Sequence, residues 1–485
     1  MGVAKLPGPG REDTRQVRLS HDLLKTSARF DDPNLVSRAG LIPVMALAER
    51  AGLFALVREH VTVAGPCGAN AGFKVGCLVA GMAGGADSID DMGVLRHGAM
   101  PLVFGGLRAP STLGSFLRSF TWGSVLQLGK VNRLLLAELA GRASLLPGAG
   151  QLAFIDIDST QRRVYGHAKQ GAAFGHTKIQ GKTVLVRGLN ALVATVTTPD
   201  APAPVIAAAR LRGGNANSAR GAARLAAEAV AAARDAGCGG TVIVRADSAY
   251  YSAGFTAACS RAGAFFSVTA RMDPAIRAAI AAIGEEAWTP ICYPRAVWDD
   301  QQARWISDAE VAQATYCAFT SRKKSEQVTA RLIVRRVKDL SPRAAGQGEL
   351  FPVWRYHAVF TDSPFTLLQA EAQHRDHAVI EQVFADLTSG PLAHAPSGVF
   401  AANAAWLALA AIAHNLLRAA GTLASPFHAR ARGATIRRDL IHVAARAARH
   451  GRGRLVLHLP AGWHRQAEWD NLFQAGCGPP RTRAA

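Results

Sequence analysis

Carboxylates are scarce in this chain. Across 485 residues, 35 Asp and Glu face 55 Lys and Arg, a formal net charge of +20. A deficit that large argues against cationic partners and points to a polyanion, nucleic acid first. A composition that simply inflates Arg and Ala is the plain alternative. Cysteine is sparse and scattered: thiols stand at 67, 77, 238, 259, 292, 317 and 477, none in a CxxC. An odd, dispersed set excludes a disulfide framework and a structural zinc site, and fits reduced thiols in a cytosolic protein. The opening MGVAKLPGPGREDTRQVRLS lacks an apolar run, so no signal peptide is expected; Leu6 stands where a myristoylation pattern needs Ser or Thr. Long clean apolar runs are missing as well. VFAANAAWLALAAIAHNLL, Val399 to Leu417, is Ala-rich and carries Asn403, His414 and Asn415. It reads as the buried helix of a soluble protein, not as a membrane span.

What is present falls into six stretches. Residues 1–40 are a basic, irregular arm, and 41–150 are helical, a candidate DNA-binding domain. LLPGAG marks a boundary, after which residues 151–271 alternate strands with a helix. Strands are expected at Leu152–Thr160, twice within Lys182–Thr198 and at Thr241–Arg245, with a helix at Ser218–Ala236. Residues 272–362 hold Trp288, Trp298, Trp305 and Trp354 among strand-like runs, a β-rich insertion. Residues 363–450 return to helix, starting with one long helix from about Phe365 to Leu387 with Pro364 at its first turn. Residues 451–485 form a basic tail. The fold class is α/β, a mixed sheet flanked by helices with an N-terminal helical domain.

The few acids are unevenly placed. In FIDIDSTQRRVYG, Asp156 and Asp158 lie two residues apart on a strand and so share a face. That face is either a metal site or an edge where acids meet water. Asp247 follows the strand TVIVRA, where α/β sheets gather ligands. On the long helix, Glu381 borders the apolar stripe with His377 and His374 one and two turns before it. His374 and His377 form an HxxH, but no third nitrogen or sulfur ligand accompanies them, so zinc is not expected. Convergent carboxylates repel one another unless cations neutralise them. Magnesium takes oxygen ligands and leaves positions for phosphate oxygens, and paired ions suit in-line phosphoryl displacement.

These motifs resemble a family. FIDIDST, VRADSAYYS and HRDHAVIEQVFADLTSGPLAH, in that order, are similar to bacterial insertion-sequence transposases of the DDE class, with a ribonuclease-H-like core. The likeness is greatest to the thirteen-eighty family of insertion sequences. GGADSIDDMGVLRHGAMP, PSTLGSFLRSF and FAANAAWLALAAIAHNLLRAAG belong to the same resemblance, which spans roughly residues 35 to 470. It implies Asp158, Asp247 and Glu381 as catalytic, metal-holding acids for two Mg²⁺ ions, with Mn²⁺ able to substitute. It implies binding to inverted element ends and target DNA, DNA cleavage and 3′-end transfer, a homodimer on paired ends, and a cytoplasmic, nucleoid-associated enzyme. It also implies that the strands between Asp247 and Glu381 interrupt the core. Relatives carry Tyr, Arg and Lys around the Glu where this chain has His374, His377 and Thr388; the histidines or Arg375 take the phosphate-positioning role. Further DNA-contact candidates are Lys169, Lys178 and Lys182 in a Gly-rich loop, the basic run Arg322, Lys323 and Lys324, and Trp298 for stacking on an extruded base, with Trp288 and Trp305 as its alternatives. Two other functions fit the same features: a ribonuclease-H-like nuclease without strand transfer, and a non-catalytic DNA-binding repressor.

Overall fold

The computed structural model describes residues 21–478 apart from 167, 180–181, 295 and 339–352. Much of the expected arm and the last residues of the tail lie outside these. A short strand, β1 (Leu35–Val36), leads into helices α1 (Leu41–Arg50), α2 (Leu53–His60), α3 (Ala71–Ala83), α4 (Met100–Val103), α5 (Pro110–Arg118) and α6 (Trp122–Ala143). Thr121 caps α6 by accepting from the Ser124 N–H at 3.3 Å. Then come β2 (Leu152–Arg163), β3 (Ala173–Ile179), β4 (Lys182–Thr197), β5 (Val205–Gly213), α7 (Ala222–Asp235), β6 (Thr241–Ala246), α8 (Ala253–Arg261), β7 (Phe265–Thr269) and α9 (Pro274–Ala281).

The next segment holds β8 (Thr289–Pro290), β9 (Val297–Asp299), β10 (Arg304–Ile306), β11 (Ala309–Ala318), β12 (Val328–Lys338) and β13 (Trp354–Thr361). Helices α10 (Leu367–Arg375), α11 (Ile380–Thr388), α12 (Phe400–Ala424), α13 (Pro426–Arg430) and α14 (Gly433–Ile436) follow. The hairpin β14 (Ala445–His450) and β15 (Arg454–His458) and the helix α15 (Gln466–Cys477) complete the described chain.

One large mixed sheet organises these elements. Its order is β3-β4-β2-β6-β7-β13-β12-β11-β8, with β5 on the free stretch of β4. The pairs β2–β6 and β6–β7 are parallel and the others antiparallel. The run β5-β4-β2-β6-β7 is a ribonuclease-H-like sheet, and helices flank it. The β-rich stretch adds to this same sheet: β13 pairs with β7 through Thr361↔Ser267, so the strands between Asp247 and Glu381 continue the sheet edge. Apart from it, among the described residues, stand the β9–β10 ribbon and a three-stranded sheet of β1, β14 and β15.

Three expectations need correction. Lys182–Thr198 is one strand, because β4 pairs first with β3 and then with β2 and β5. The helix expected from Ser218 starts at Ala222, after Gly221 takes φ +79°. Arg212 holds the carbonyls of Ser218 and Arg220 at 2.7 and 2.8 Å, which keeps that segment looped. The long helix from Phe365 is two helices. Thr366 starts α10 with a reciprocal capping box to Gln369, and a 3₁₀ turn at Asp376–Val379 separates it from α11. His377 Nδ1–H donates to the His374 carbonyl at 2.6 Å, so that the ring occupies a helix acceptor.

The apolar stretch noted in the sequence becomes α12. It is long and apolar enough to cross a membrane by length and composition, yet it lies buried within the fold. Its alanines let α3, α6 and β5 approach it closely. Its polar residues serve backbone groups. Asn415 Oδ1 accepts from the Ile206 N–H at 2.7 Å, and its amide donates to the Ile206 carbonyl at 2.9 Å and to Asn132 Oδ1 at 3.1 Å. Asn403 closes on Ser397 in the same two-way fashion. Burial therefore leaves these amides satisfied. The first helices also meet the last ones: a Cβ on Gly40 would stand 1.8 Å from the Leu440 carbonyl oxygen.

Candidate active site

The parallel register of β2 and β6 places the acids. Asp156 pairs with Arg245, and Ile157 with Ala246, the last residue of β6. The next residues, Asp158 and Asp247, thus come together where β6 stops while β2 runs on. Asp247 turns the chain: its carboxylate accepts from the Ala249 N–H at 2.9 Å and caps the short turn Ser248–Tyr250. Helix α11 packs against β2 and carries Glu381, exposed, in its first turn.

Electrostatics tie the three together. Burial pushes the Asp158 carboxyl up to about 7, and the charges of Asp247 and Glu381 push in the same direction. The Ser159 N–H, which donates to Asp158 Oδ1 at 2.6 Å, and the Arg212 guanidinium pull the other way. The strand register sets Asp158 and Asp247 side by side, and the Glu381 charge reaches Asp158 from α11, which packs on β2. Beside them the Tyr250 phenol is buried and held well above its usual range by burial and by the Asp158 charge.

Asp156 has a different fate from Asp158. It and Arg245 are each 1 % exposed, and the guanidinium grips both carboxylate oxygens at 2.6 and 2.8 Å. Burial pushes the Asp156 carboxyl up and the Arg245 charge opposes it. Arg245 also donates to the Gln373 carbonyl of α10 and lies 4.2 Å from the Phe154 ring centroid. Asp156 is thus engaged within the fold, and of the two acids on this face only Asp158 is left to meet a ligand. The sequence reading missed Arg245, Arg212 and Tyr250. A signal existed for Arg245: it precedes Asp247 by two, as Asp156 precedes Asp158, so a parallel register pairs them.

The other candidates divide. His374 is buried; its Nδ1 bonds Ser267 Oγ at 2.9 Å and its Nε2 bonds Thr269 Oγ1 at 3.0 Å. Burial pushes its pKa down to about 3, so the ring is neutral and has no nitrogen left for a phosphate. The ring thus serves the fold's own hydrogen bonds to β7. The helix break is the reason it points into the sheet while Glu381 does not. His377 is half-buried against His374. Arg375 pairs with the buried Glu371 at 3.0 Å, as does Arg335. Lys169 Nζ donates to the carbonyls of Ala395 and Ser397 at 2.6 and 3.1 Å, holding the loop before α12. The side chains of Lys178 and Lys182 lie outside the described residues.

Trp298 is 45 % exposed on the β9–β10 ribbon, edge-on to Trp305. Trp288 is instead committed to the Arg336 guanidinium, 4.2 Å from its ring centroid, with Trp354 at 4.5 Å. Arg322, Lys323 and Lys324 are exposed between β11 and β12. Their loop begins at Phe319, a non-glycine residue at φ +63° whose ring packs 4.9 Å from Tyr251, four residues past Asp247. The register of β12 through β13 and β7 sets this loop toward the other end of the strands from Asp247.

No group of three His, Cys, Asp or Glu side chains is close enough to enclose one ion among the described residues. The donor set is nonetheless all oxygen, and burial, with the neighbouring acids adding to it, pushes Asp158 toward the protonated form. Mg²⁺ bound through one or two carboxylates, with water and substrate oxygens completing the shell, fits such a set; a softer metal does not.

Two neutral buried histidines set a pH response. Burial pushes His414 down to about 4, alongside His374 at about 3. An unfolded chain protonates both near pH 6.5. Below that pH the unfolded state binds protons that these two folded rings do not, so their contribution to stability is full above about 6.5 and falls as the pH drops toward 4. Asp158 and Asp362, pushed up to about 7 and about 6, bind protons in the folded state over the same range and oppose that trend. The expected result is therefore a difference: the melting temperature of His374→Gln gains on that of wild type as the pH drops from 7 to 4. A scan of melting temperature against pH checks this; parallel curves for the two proteins would remove His374 from the account.

Residues 21–475 match the family model described as transposase DDE domain, group 1. No curated protein matches the chain.

Proposed function

We propose, on the premise that this chain belongs to the group 1 transposase DDE domain family, that it binds the inverted ends of a bacterial insertion sequence of the thirteen-eighty type, cleaves DNA there and joins the freed 3′ ends to target DNA. The observation that carries this reading is the parallel register of β2 and β6, which sets Asp158 beside Asp247 where β6 ends, with α11 and its Glu381 packed on β2. Carboxylates are gathered against their own electrostatics only where something else rewards it, and phosphoryl transfer does.

In this reading Asp158, Asp247 and Glu381 hold two Mg²⁺ ions, or Mn²⁺ in their place. When bound, the ions activate a water or a 3′-hydroxyl and stabilise the charge on the leaving oxygen. The chain's own groups do the rest. Arg245, by fixing Asp156 and α10, holds β2 and β6 in the register that sets Asp158 beside Asp247. Arg212 tempers the negative field. Arg322, Lys323 and Lys324, exposed between β11 and β12, contact phosphates of DNA that extends beyond the site; the net charge of +20 supplies affinity that weakens steeply with salt. Trp298 on its ribbon offers an aromatic face to DNA. No covalent enzyme intermediate is needed. We further propose that the enzyme acts as a homodimer on paired ends, in the cytoplasm at the nucleoid.

The test is a reaction with labelled end duplex, a supercoiled plasmid and Mg²⁺. A joined end–plasmid product is the expected result. Cleaved ends without joining would reduce the protein to a nuclease, and binding without cleavage in Mg²⁺ or Mn²⁺ would reduce it to a repressor.

A further inference from the structure

A cleft lies on the Arg212 side of the carboxylates. Arg212, whose charge acts on Asp158, also lines a cleft of about 360 Å³ between the first turns of α6, α7 and α12. That volume lies in the range of small-molecule sites, about 300–1,000 Å³. Trp122 opens α6, Phe400 opens α12, and Gly221 precedes α7 with no side chain to cap the helix.

The charge in this cleft is lopsided. Arg210, Arg212, Arg220 and Arg224 line it. One carboxylate answers them: Glu228 pairs with Arg210 and, at 3.0 Å, with Arg224. Arg212 spends its hydrogen bonds on Asn190 and the loop carbonyls, which fixes it as a wall of the cleft. Arg220 is exposed and pairs with no carboxylate among the described residues. With Asp158 acting on Arg212 from outside the cleft, two guanidinium charges are left over, next to the open first turn of α7, an arrangement that favours a phosphate.

The aromatic component narrows the class of ligand. Arg210 lies 5.5 Å from the Trp122 ring centroid, which braces the indole, yet the residue stays 45 % exposed. An exposed indole over a concave, arginine-rich floor is a poor place for a bare anion or an apolar molecule. It suits a group with both a π-face and a phosphate. The stacked faces of paired DNA do not reach into such a cleft, so the base has to be free of its partner.

We propose that this cleft binds one unpaired nucleotide of a DNA strand, its base against Trp122 and its phosphate at Arg220 and Arg224. The proposal rests on the reading of this chain as a DNA-processing enzyme, and it adds where the strand goes beside the acids.

The test measures binding, not cleavage. Fluorescence anisotropy would compare three labelled probes: a ten-nucleotide single strand, a duplex with two unpaired terminal nucleotides, and the same duplex fully paired. Trp122→Ala and the double variant Arg220→Gln/Arg224→Gln are each expected to weaken the first two by about tenfold or more and to leave the paired duplex within about twofold. Trp122→Phe restores the stacking and most of the affinity. Equal losses on all three probes, or no loss on any, would overturn the proposal. So would competition by dAMP at the strand's own affinity, which would make the cleft a site for a free nucleotide. Wild-type protein that shows the unpaired-strand preference yet never cleaves would sink the catalytic reading and leave the cleft standing.

Discussion

Asp247→Asn is expected to abolish DNA cleavage, by about a thousandfold or more, while end binding stays within about twofold of wild type. The change removes one charge and one good oxygen donor and keeps the shape. The turn that Asp247 caps survives, because the Asn side-chain oxygen accepts from the Ala249 N–H as the carboxylate does. Affinity for DNA comes from basic groups elsewhere, so it is not reduced. Asp158→Asn and Glu381→Gln should behave alike. Asp158→Asn carries a further signature: with its neighbours Asp247 and Glu381 no longer opposed by a buried charge, the metal-free variant should melt higher than wild type at pH 8. A dead enzyme that is more stable and still binds DNA marks a residue kept for chemistry at the expense of stability. Electrophoretic cleavage assays, band shifts and thermal melts on the same preparations read all three. Cleavage that survives Asp247→Asn would dismantle the site.

The readable part of this molecule was what short-range pattern dictates. Period-two runs marked β2 with its two acids and β6 with Asp247 just past its end, and the apolar stretch from Val399 marked α12. The unreadable part was set by tertiary partners. β4 is one strand because β3 occupies one part of its length and β2 and β5 another, which no propensity encodes. Helical arithmetic across His374, His377 and Glu381 failed at the point where the His377 ring takes the His374 carbonyl and breaks the 100° progression. Asp156 and Asp158 share a face, so alternation alone does not separate them; only the partner strand does, by bringing Arg245 to one and Asp247 to the other. The cleft at Trp122 gathers residues from three helices and β5, and no local motif announces it.

Asp156→Ala is expected to cost about 3–5 kcal/mol of stability, and Arg245→Ala a similar amount, because each leaves the other charge buried without its partner. Asp158→Ala, two residues away, should cost little or nothing, since that carboxylate is opposed rather than satisfied. The pair itself need not stabilise the fold. Asp156→Leu/Arg245→Met replaces two desolvated charges by apolar groups of similar size and should stand within about 1 kcal/mol of wild type or above it. Urea unfolding of wild type, Asp156→Leu, Arg245→Met and the double variant closes the cycle and yields the coupling between the two residues. A double variant as unstable as either single would mean that the region's packing, not the uncompensated charge, sets the cost. The same protein then asks a functional question. Arg245 joins β6 to the Gln373 carbonyl, and α10 leads through the 3₁₀ turn to Glu381. With Arg245 gone but the fold intact, Glu381 loses its tether to the strand that carries Asp247. Cleavage should slow in the stable double variant, and added Mg²⁺ should restore part of it, as expected of a residue that positions an acid and does not itself hold the metal.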